Sequence, residues 1–228
     1  MDISINNKID ETINTYNSVV NEYIEYYNSK DLNGGVQHQK EIDYLISQLG
    51  NNAKILDVGT AIGIYAKFLT EKCDKNFDVL GIDSSKNMLK KAIQNAPKAK
   101  FELMDIREMN YQSKSFDAII CLGVLNHLND DICKNVLYKF NDLLKDGGLL
   151  LINAMELNGE EKEIFIPEPL NTKYKTYFNR YMKKFFLDFF EKNNYLIEKS
   201  FDNKLFNEEK SGKDFVGTNK FSIIARKM

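Results

Sequence analysis

One segment, residues 55–69, constrains the fold more than any other part of the chain. Its sequence, ILDVGTAIGIYAKFL, places a short apolar run before a glycine-bearing turn, and the turn leads straight into a helical pattern. Gly59 and Gly63 let the backbone turn tightly and approach a ligand. The helix that follows offers unpaired N–H groups at its N-terminus. We therefore predict a strand, a nucleotide-binding turn and a helix, in that order.

Short apolar runs alternate with helical windows beyond this turn. The runs KILDV, FDVLGID, KFELM, FDAIICL and GLLLINA predict five parallel strands joined by crossover helices. The helix before GLLLINA is predicted to reach residues 144–146, where Gly147 and Gly148 end it. The last runs, YLIEKSF and NKFSIIARK, are joined without a long helix and predict an antiparallel pair. The pattern indicates an α/β fold with a seven-stranded, mostly parallel sheet.

The flanking segments predict a helical cap and an insertion. Apolar residues recur every three to four positions from Ile13 to Tyr27, and a second helical pattern follows the break at 33–35, so two helices precede the core. After the fifth strand we expect a polar insertion with Pro167 and Pro169, then a helix over 177–193. This gives a single domain with a cap, a cofactor-binding core, a substrate-side insertion and a C-terminal helix with a strand pair: 1–50, 51–154, 155–178 and 179–228.

Composition narrows the classes of partner. The chain has 228 residues, 43% of them hydrophobic, which is enough for one domain with a buried core. A net charge of −2 provides no strong field toward nucleic acid or an acidic membrane. We expect a cytoplasmic protein, because no leader pattern opens the chain and no window approaches the ~18 apolar residues of a membrane span. The three cysteines lack C-x-x-C spacing and are interpreted as reduced thiols, with no metal site.

Acidic residues follow three consecutive predicted strands. Asp57 precedes Gly59 and would repel a phosphate, which favours a ligand with positive charge or hydroxyls near the turn, such as the amino-acid portion of S-adenosylmethionine. Asp83 comes 20 residues after Gly63, where a carboxylate can take both ribose hydroxyls. Asp105 can accept from an adenine amine while its neighbour Ile106 covers the ring. A dehydrogenase is disfavoured, since position 64 is Ile where the third glycine of G-x-G-x-x-G is needed.

With these motifs in order, the chain resembles the class I S-adenosylmethionine-dependent methyltransferases of the small-molecule type. DVGTAIG is similar to their D-x-G-x-G-x-G motif, although Ala61 stands where Gly is usual. GIDSS, MDI, FDAIICLGVLNHL and LKDGGLLLIN resemble their later motifs, and the resemblance covers roughly residues 16–228. It implies a Rossmann-like sheet of order 3-2-1-4-5-7-6 with strand 7 antiparallel and helices on both faces. It also implies S-adenosylmethionine as cofactor and S-adenosylhomocysteine as product.

The resemblance assigns residues to the cofactor. In the N-terminal helix, YNSVVNEY is similar to the Y-D-x-x-A-x-x-Y segment of the family, so Tyr16 and Tyr23 are expected to close the site; the alternative is a tyrosine stripe that packs the helix. The expected cofactor-binding residues lie in this helix and at the first four strand ends: Tyr23, Asp57, Gly59, Thr60, Ala61, Gly63, Asp83, Ser84, Met88, Asp105, Ile106, Cys121 and Leu122.

Transfer from a sulfonium needs alignment and exclusion of water more than a strong base. His127 lies beyond the fourth strand and is the candidate base for a substrate hydroxyl or ammonium; alternatively, it packs under the N-terminal helices and orients a loop. Tyr16, Asn126 and Glu156 are the expected substrate residues, whereas His38 is expected to be solvated. The predicted reaction is methyl transfer to an N or O nucleophile of a small molecule.

Several alternatives stay open. The chain could be a cofactor-binding regulator or partner subunit without transfer chemistry, or an RNA or protein methyltransferase. Methylation of a base amine is disfavoured, because the N/D-P-P-Y/F segment is replaced by CLGV at 121–124. The insertion over 155–176 starts acidic and then turns basic and aromatic, which indicates either an aromatic pocket with a cationic rim or a solvated helix start.

Overall fold

The computed structural model describes residues 4–30, 35–159, 161–203 and 219–228. Its α-helices are α1 (Ile5–Ser18), α2 (Val20–Asn28), α3 (Gln39–Gln48), α4 (Ile64–Glu71), α5 (Lys86–Asn95), α6 (Asp130–Leu143) and α7 (Lys183–Lys192). Its strands are β1 (Lys54–Val58), β2 (Asp78–Asp83), β3 (Lys100–Leu103), β4 (Phe116–Cys121), β5 (Leu144–Met155), β6 (Glu163–Glu168), β7 (Asn171–Asn179), β8 (Tyr195–Asn203) and β9 (Lys220–Lys227). Short 3₁₀ turns occupy Ile106–Glu108 and Leu125–His127. Within these ranges, no helix combines the length and apolarity that crossing a membrane requires.

Seven strands form the central sheet in the order β3-β2-β1-β4-β5-β9-β8. The first five are parallel, and β9 lies antiparallel between β5 and β8. This confirms the predicted order 3-2-1-4-5-7-6, since β8 and β9 are the sixth and seventh strands of this sheet. The carboxyl ends of β1, β2, β3 and β4 therefore meet at one edge, beside the N-terminal end of β9.

Both faces of the sheet are covered, as predicted. Leu56 and Val58 of β1 belong to one buried cluster together with Phe140 of α6. Ile55 belongs to the cluster on the other face, which also contains Leu45 of α3. Alternate residues of β1 thus point into opposite cores, which is why this strand is apolar throughout rather than alternating.

The N-terminal segment differs from the prediction. Among residues 4–30 and 35–53, three helices precede β1 instead of two, because the backbone at Val19 leaves the helical region (φ −97°, ψ 25°) and separates α1 from α2. The Val19 side chain is fully buried, so packing stabilises this break. Periodicity alone does not reveal it, because the apolar spacing continues across Val19.

The helix predicted over 177–193 is wrong at its start. Residues 171–179 form β7, which pairs antiparallel with β6 as a separate two-stranded sheet, and α7 begins only at Lys183. Phe165 lies opposite Tyr177 in this hairpin, and Tyr177 is buried against the rest of the domain. Aromatic residues occur on both sides of the boundary, so their spacing does not separate strand from helix.

The end of α6 also differs. The helix stops at Leu143, and β5 starts at Leu144 instead of at the predicted GLLLINA run. Gly147 and Gly148 therefore lie inside the strand and do not follow the helix. The pairing of β4 with β5 shifts register in this region, between Phe116 and Ala118, and Gly147 adopts φ 79°. Glycine suits such an irregular stretch of strand.

Candidate active site

A cavity of about 170 Å³ lies at the carboxyl ends of β1, β2 and β4, beneath α1 and α2. The sequence-predicted residues on its wall come from the N-terminal helices and from the segments at and after the first four strand ends: Tyr16, Tyr23, Gly59, Ala61, Asp83, Ser84, Met88, Asp105, Ile106, Leu122 and His127. The wall also includes Ile9, Thr12 and Ile13 of α1, with Gly123 and Val124 after β4. The fold thus brings most of the predicted site together.

The turn after β1 requires its glycines. Gly59 has φ 69°, and a Cβ atom there would lie 2.1 Å from Val124 Cγ2. Gly63 has φ 78°, and its Cβ would lie 3.0 Å from the Ala92 backbone. The left-handed backbone and the close approach both exclude a larger residue. Val124, which sequence reasoning did not single out, is thus the partner that packs over the turn.

Asp83 fastens this turn to β2. Its Oδ2 accepts a hydrogen bond from the Ala61 N–H (2.8 Å), and its Oδ1 accepts one from the Ser85 N–H (2.8 Å). Ala61 itself holds φ 47°, a conformation that costs a residue with a Cβ roughly 1–2 kcal/mol. Burial raises the pKa of Asp83 to about 6, while the two backbone donors act in the opposite direction. Each oxygen keeps a further lone pair for a ligand.

Asp57 does not lie on the cavity wall, which corrects the expectation that it faces the ligand. It is 2% exposed, and its Oδ2 accepts from Thr60 Oγ1 (2.6 Å). Burial, with a smaller contribution from the charge of Asp83, raises its pKa to about 7, and the hydrogen bond from Thr60 acts in the opposite direction. Thr60 and Gly63 are also absent from the wall. Asp57, Thr60 and Gly63 therefore stabilise the conformation of the turn from the side away from the cavity.

The end of the cavity at β3 carries an ion-pair network. Asp105 lies on the wall, and its two carboxylate oxygens accept from Arg107 Nε at 3.1 and 3.0 Å. Arg107 also contacts Asp10 of α1, with 2.6 Å between its Nη2 and the carboxylate. Sequence reasoning missed Arg107, although it follows the MDI motif directly. The network links the helix above the cavity to the strand end below it.

His127 lies on the wall as a neutral imidazole with both nitrogens engaged. Nδ1 is 2.8 Å from the Tyr177 carbonyl, so it carries the proton and donates it. Nε2 is therefore the acceptor, 3.3 Å from the Tyr16 hydroxyl, which donates to it. Burial lowers the pKa of His127 to about 4, and the positive charge of Lys220 acts in the same direction. The Phe178 ring packs 5.0 Å from the imidazole.

The β6–β7 hairpin holds α1 over the cavity. The Tyr177 N–H donates to Thr12 Oγ1 (2.9 Å), and Thr15 Oγ1 donates to the Lys175 carbonyl (2.6 Å). Tyr16 lies between these two threonines in sequence, so the same contacts set its place beside His127. Insertion and cap therefore form one roof.

The expected substrate residues Asn126 and Glu156 lie off the cavity wall, as does the expected cofactor residue Cys121. Asn126 is 2% exposed, and its Oδ1 accepts from the Met155 N–H (2.6 Å). Glu156 pairs through its backbone with Tyr181. Cys121 is fully buried, and burial raises its pKa well above the usual value, so the thiol stays protonated. Asn126 acts in the framework, joining the loop after β4 to the end of β5.

His38 was expected to be solvated, and this is wrong. Its side chain is 10% exposed, with Nδ1 3.1 Å from Glu41 Oε1 and Nε2 3.3 Å from Asn153 Nδ2. Asn153 Oδ1 accepts from the N–H of Gly123 on the cavity wall (2.6 Å). Ser222 Oγ donates to the same Glu41 oxygen (3.1 Å). A buried chain of hydrogen bonds thus connects α3 and β9 to the cavity wall, which no sequence motif signals.

Known proteins are similar to this chain in sequence and in fold. Residues 55–148 match the family model described as "Methyltransferase domain". The chain is 36% identical over 125 residues to phosphoethanolamine N-methyltransferase 3 of Arabidopsis thaliana, covering 52% of this chain and 24% of that protein. It is 28% identical over 170 residues to glycine/sarcosine N-methyltransferase of Aphanothece halophytica, and this match covers 69% of this chain and 61% of that protein. This chain therefore spans about a quarter of the length of the plant relative.

Among solved structures, the fold is similar to that of 1,6-didemethyltoxoflavin-N1-methyltransferase of Burkholderia thailandensis. That structure contains bound 1,6-didemethyltoxoflavin and S-adenosylhomocysteine. The TM-score is 0.61 at 17% identity, and the match covers 94% of this chain and 90% of the other. Such a likeness concerns the architecture, because one fold carries many activities.

Proposed function

We propose that this chain, which carries a methyltransferase domain of the class I S-adenosylmethionine-dependent kind, transfers a methyl group from S-adenosylmethionine to a nitrogen atom of a small molecule. One observation carries the proposal. The cavity joins Asp83 and the Gly59 turn on its lower wall to Tyr16 and His127 beneath α1. The residues suited to the nucleoside and those suited to the transfer step therefore share one cavity.

The chemistry of the wall fits S-adenosylmethionine. Asp83 has acceptor capacity left for ribose hydroxyls, and the glycine at 59 leaves room that a side chain would fill. Met88 and Ile106 provide apolar cover for a ring, and Asp105 offers acceptors at the same end. The carboxylates of Asp83 and the buried Asp57 behind it suit a positively charged ligand. When bound, the cofactor supplies an electrophilic methyl group on a sulfonium.

The residues at the transfer end favour an acceptor that is already nucleophilic. His127 has no free ring nitrogen, because Nδ1 donates to a carbonyl and Nε2 accepts from Tyr16. Burial raises the pKa of Tyr16 well above its usual value, so the phenol stays protonated. Neither group is suited to take the proton of an alcohol. An amine that enters as its free base needs no such help, and His127 and Tyr16 then orient it and exclude water.

The relatives agree with this choice of atom. The Arabidopsis and Aphanothece proteins are named for N-methylation of phosphoethanolamine and of glycine or sarcosine. Both acceptors are small amines. The alternative that sequence reasoning left open is a regulator that binds the cofactor without transfer. Such a regulator would bind S-adenosylmethionine and form no S-adenosylhomocysteine.

The test is calorimetric titration with S-adenosylmethionine, followed by incubation with a panel of small primary and secondary amines and matched alcohols. We expect micromolar-range binding and S-adenosylhomocysteine formed with amines and not with alcohols. Binding with no product across the panel would favour the regulator, and absence of binding would overturn the proposal.

A further inference from the structure

Lys220 opens the last strand at the edge of the sheet where the cavity lies. In the register of β9 it pairs with Met155 at the end of β5. The Met155 N–H is held by Asn126, the residue before His127 in the turn that lines the cavity. The lysine therefore belongs to the same end of the molecule as the Tyr16–His127 pair. Its charge is close enough to lower the pKa of His127.

The ammonium group of Lys220 has no hydrogen bond and no ion pair in the described ranges of the chain. This separates it from two other lysines: Lys227 of the same strand donates to the carbonyls of Asn141 and Leu144, and Lys183 pairs with Asp202. The Lys220 side chain is only partly exposed. Burial and the positive charge of Lys30, which follows α2, together lower its pKa to about 8. A partly buried cation without a counter-charge is costly unless a ligand provides one.

The glycine turn after β1 and the start of β9 carry opposite charge. Asp83 and Asp57 lie at the glycine turn, on the side assigned above to the positively charged cofactor. Lys220 lies at the start of β9, opposite Met155, and is close enough to Lys30 for the two positive charges to interact. The buried carboxylate of Glu41, on the same face as Lys220, is occupied by His38 and Ser222. A molecule that fits this polarity presents a nucleophile toward the cofactor and a negative group toward Lys220.

We propose that Lys220 binds an anionic oxygen group, a carboxylate or a phosphate, of the methyl acceptor. This inference rests on the proposed function, because it takes the bound molecule to be the methyl acceptor. It deepens that function by giving the substrate class: a small amine that also carries an anionic group. The contact is a charge-assisted hydrogen bond from Nζ to an anionic oxygen. No covalent step involves the lysine.

The direct test measures anion binding without needing the acceptor. Inorganic phosphate and acetate are titrated calorimetrically into the full-length protein, alone and saturated with S-adenosylhomocysteine. We expect at least one anion to bind, and Lys220→Met to weaken it about 10- to 100-fold, as loss of a charged hydrogen bond predicts. Lys220→Arg keeps the charge and should retain binding within a few-fold. The two anions distinguish a phosphate site from a carboxylate site.

Lys100→Met is the matched control, because Lys100 is an exposed lysine at the start of β3 that pairs with Asp78. It should bind the anions as the wild type does. Lys220→Gln provides a second uncharged variant in case the methionine disturbs folding, which thermal unfolding reports. If the wild type binds neither anion, or if both uncharged variants bind as tightly as the wild type, the inference is wrong.

A kinetic arm separates this inference from the proposed function. Acceptors are compared in pairs that differ in the anionic group: phosphoethanolamine against ethanolamine, and glycine against glycinamide. The wild type should show the lower KM for the anionic member, and Lys220→Met should abolish the difference. If transfer occurs with no such preference, the anion site fails and the methyltransferase proposal stands. If anion binding depends on Lys220 but no amine is methylated, the anion site stands and the methyltransferase proposal fails.

Discussion

At the residue scale, side chains of the same type have different roles because they occupy different positions in the fold. Asp57 and Asp83 lie at the carboxyl ends of the adjacent strands β1 and β2, yet only Asp83 is on the cavity wall. Asp57 is 2% exposed behind the turn and accepts a hydrogen bond from Thr60. His127 and His38 are both partly buried and hydrogen-bonded through both nitrogens, but only His127 lies on the wall. The hydrogen-bond partner therefore tells more about each residue than its type.

Asp83→Asn should weaken the binding of S-adenosylhomocysteine by about 10-fold or more, as expected for loss of a charged acceptor. The asparagine amide has a single acceptor oxygen, so its NH₂ group must face either the Ala61 or the Ser85 N–H, and donor would meet donor. Isothermal titration measures the change. Asp78→Asn, at the exposed start of the same strand, is the control, and equal affinity in both variants would contradict the role of Asp83.

His127→Ala should lower kcat about 100-fold while the affinity for S-adenosylmethionine changes only a few-fold, because misplacement at the transfer end affects alignment and not cofactor binding. Steady-state kinetics with an amine from the panel measures the first quantity, and calorimetry the second. Tyr16→Phe keeps the ring and removes the hydroxyl that donates to Nε2, so it should give a smaller loss. Unchanged turnover in His127→Ala would remove the histidine from the transfer step.

At the scale of elements, the hairpin and the first helix define the roof of the site together. Two threonine hydroxyls connect α1 to the backbone of β7, one as acceptor and one as donor. The ion pair from Asp10 to Arg107 fixes the same helix to the turn after β3. Because α1 is held from both sides, the placement of Tyr16 depends on elements distant in sequence.

Thr12→Val should destabilise the protein by about 1–3 kcal/mol, because the buried Tyr177 N–H loses its acceptor. Amide hydrogen exchange over residues 5–18 should become faster as the roof loosens. Urea unfolding and exchange mass spectrometry measure the two effects. Thr70→Val is the control, since Thr70 Oγ1 bonds only to carbonyls within its own helix region, and similar exchange in both variants would contradict the bracing role of the hairpin.

At the scale of the whole molecule, burial of charge links stability to pH. Burial raises the pKa of Asp57 to about 7 and that of Asp83 to about 6, so the folded state holds protons that the unfolded chain releases near pH 4. The contribution of these two groups to the free energy of unfolding is fully present below about pH 4 and is lost as the pH rises through 6 and 7. Burial lowers the pKa of His127 to about 4, so its contribution has the opposite sign: it is complete above about pH 6.5 and is lost on acidification toward pH 4.

Asp57→Asn should isolate the contribution of the raised Asp57 pKa to the pH dependence of stability. Between pH 5 and pH 7 the unfolding free energy of the wild type should fall relative to the variant by up to about 1.4 kcal/mol per pH unit. Urea unfolding at pH 5, 6, 7 and 8 measures the two curves. Asp78→Asn should run parallel to the wild type because solvent screens that exposed side chain, and a parallel curve for Asp57→Asn would contradict the buried titration.

The resemblance to a known family implied the order of the strands. The sequence by itself determined the seven strands of the sheet, the glycine turn after β1 and most of the cavity wall. These features depend on local signals: apolar runs, glycines and acids at fixed places relative to strand ends. Parallel strands then bring the ends together at one edge, so spacing along the chain already predicts proximity.

Only the tertiary structure decided the rest. The β6–β7 hairpin forms because Tyr177 and Phe178 pair with β6, which outweighs the helical pattern of their own segment. Asp57 turns away from the cavity because Thr60 binds it, His127 has its proton on Nδ1 because a carbonyl of β7 lies there, and Lys220 lacks a partner in the described ranges. The physical reason is common to all of them: hydrogen bonds and charges between residues distant in the chain depend on packing, and periodicity does not encode them.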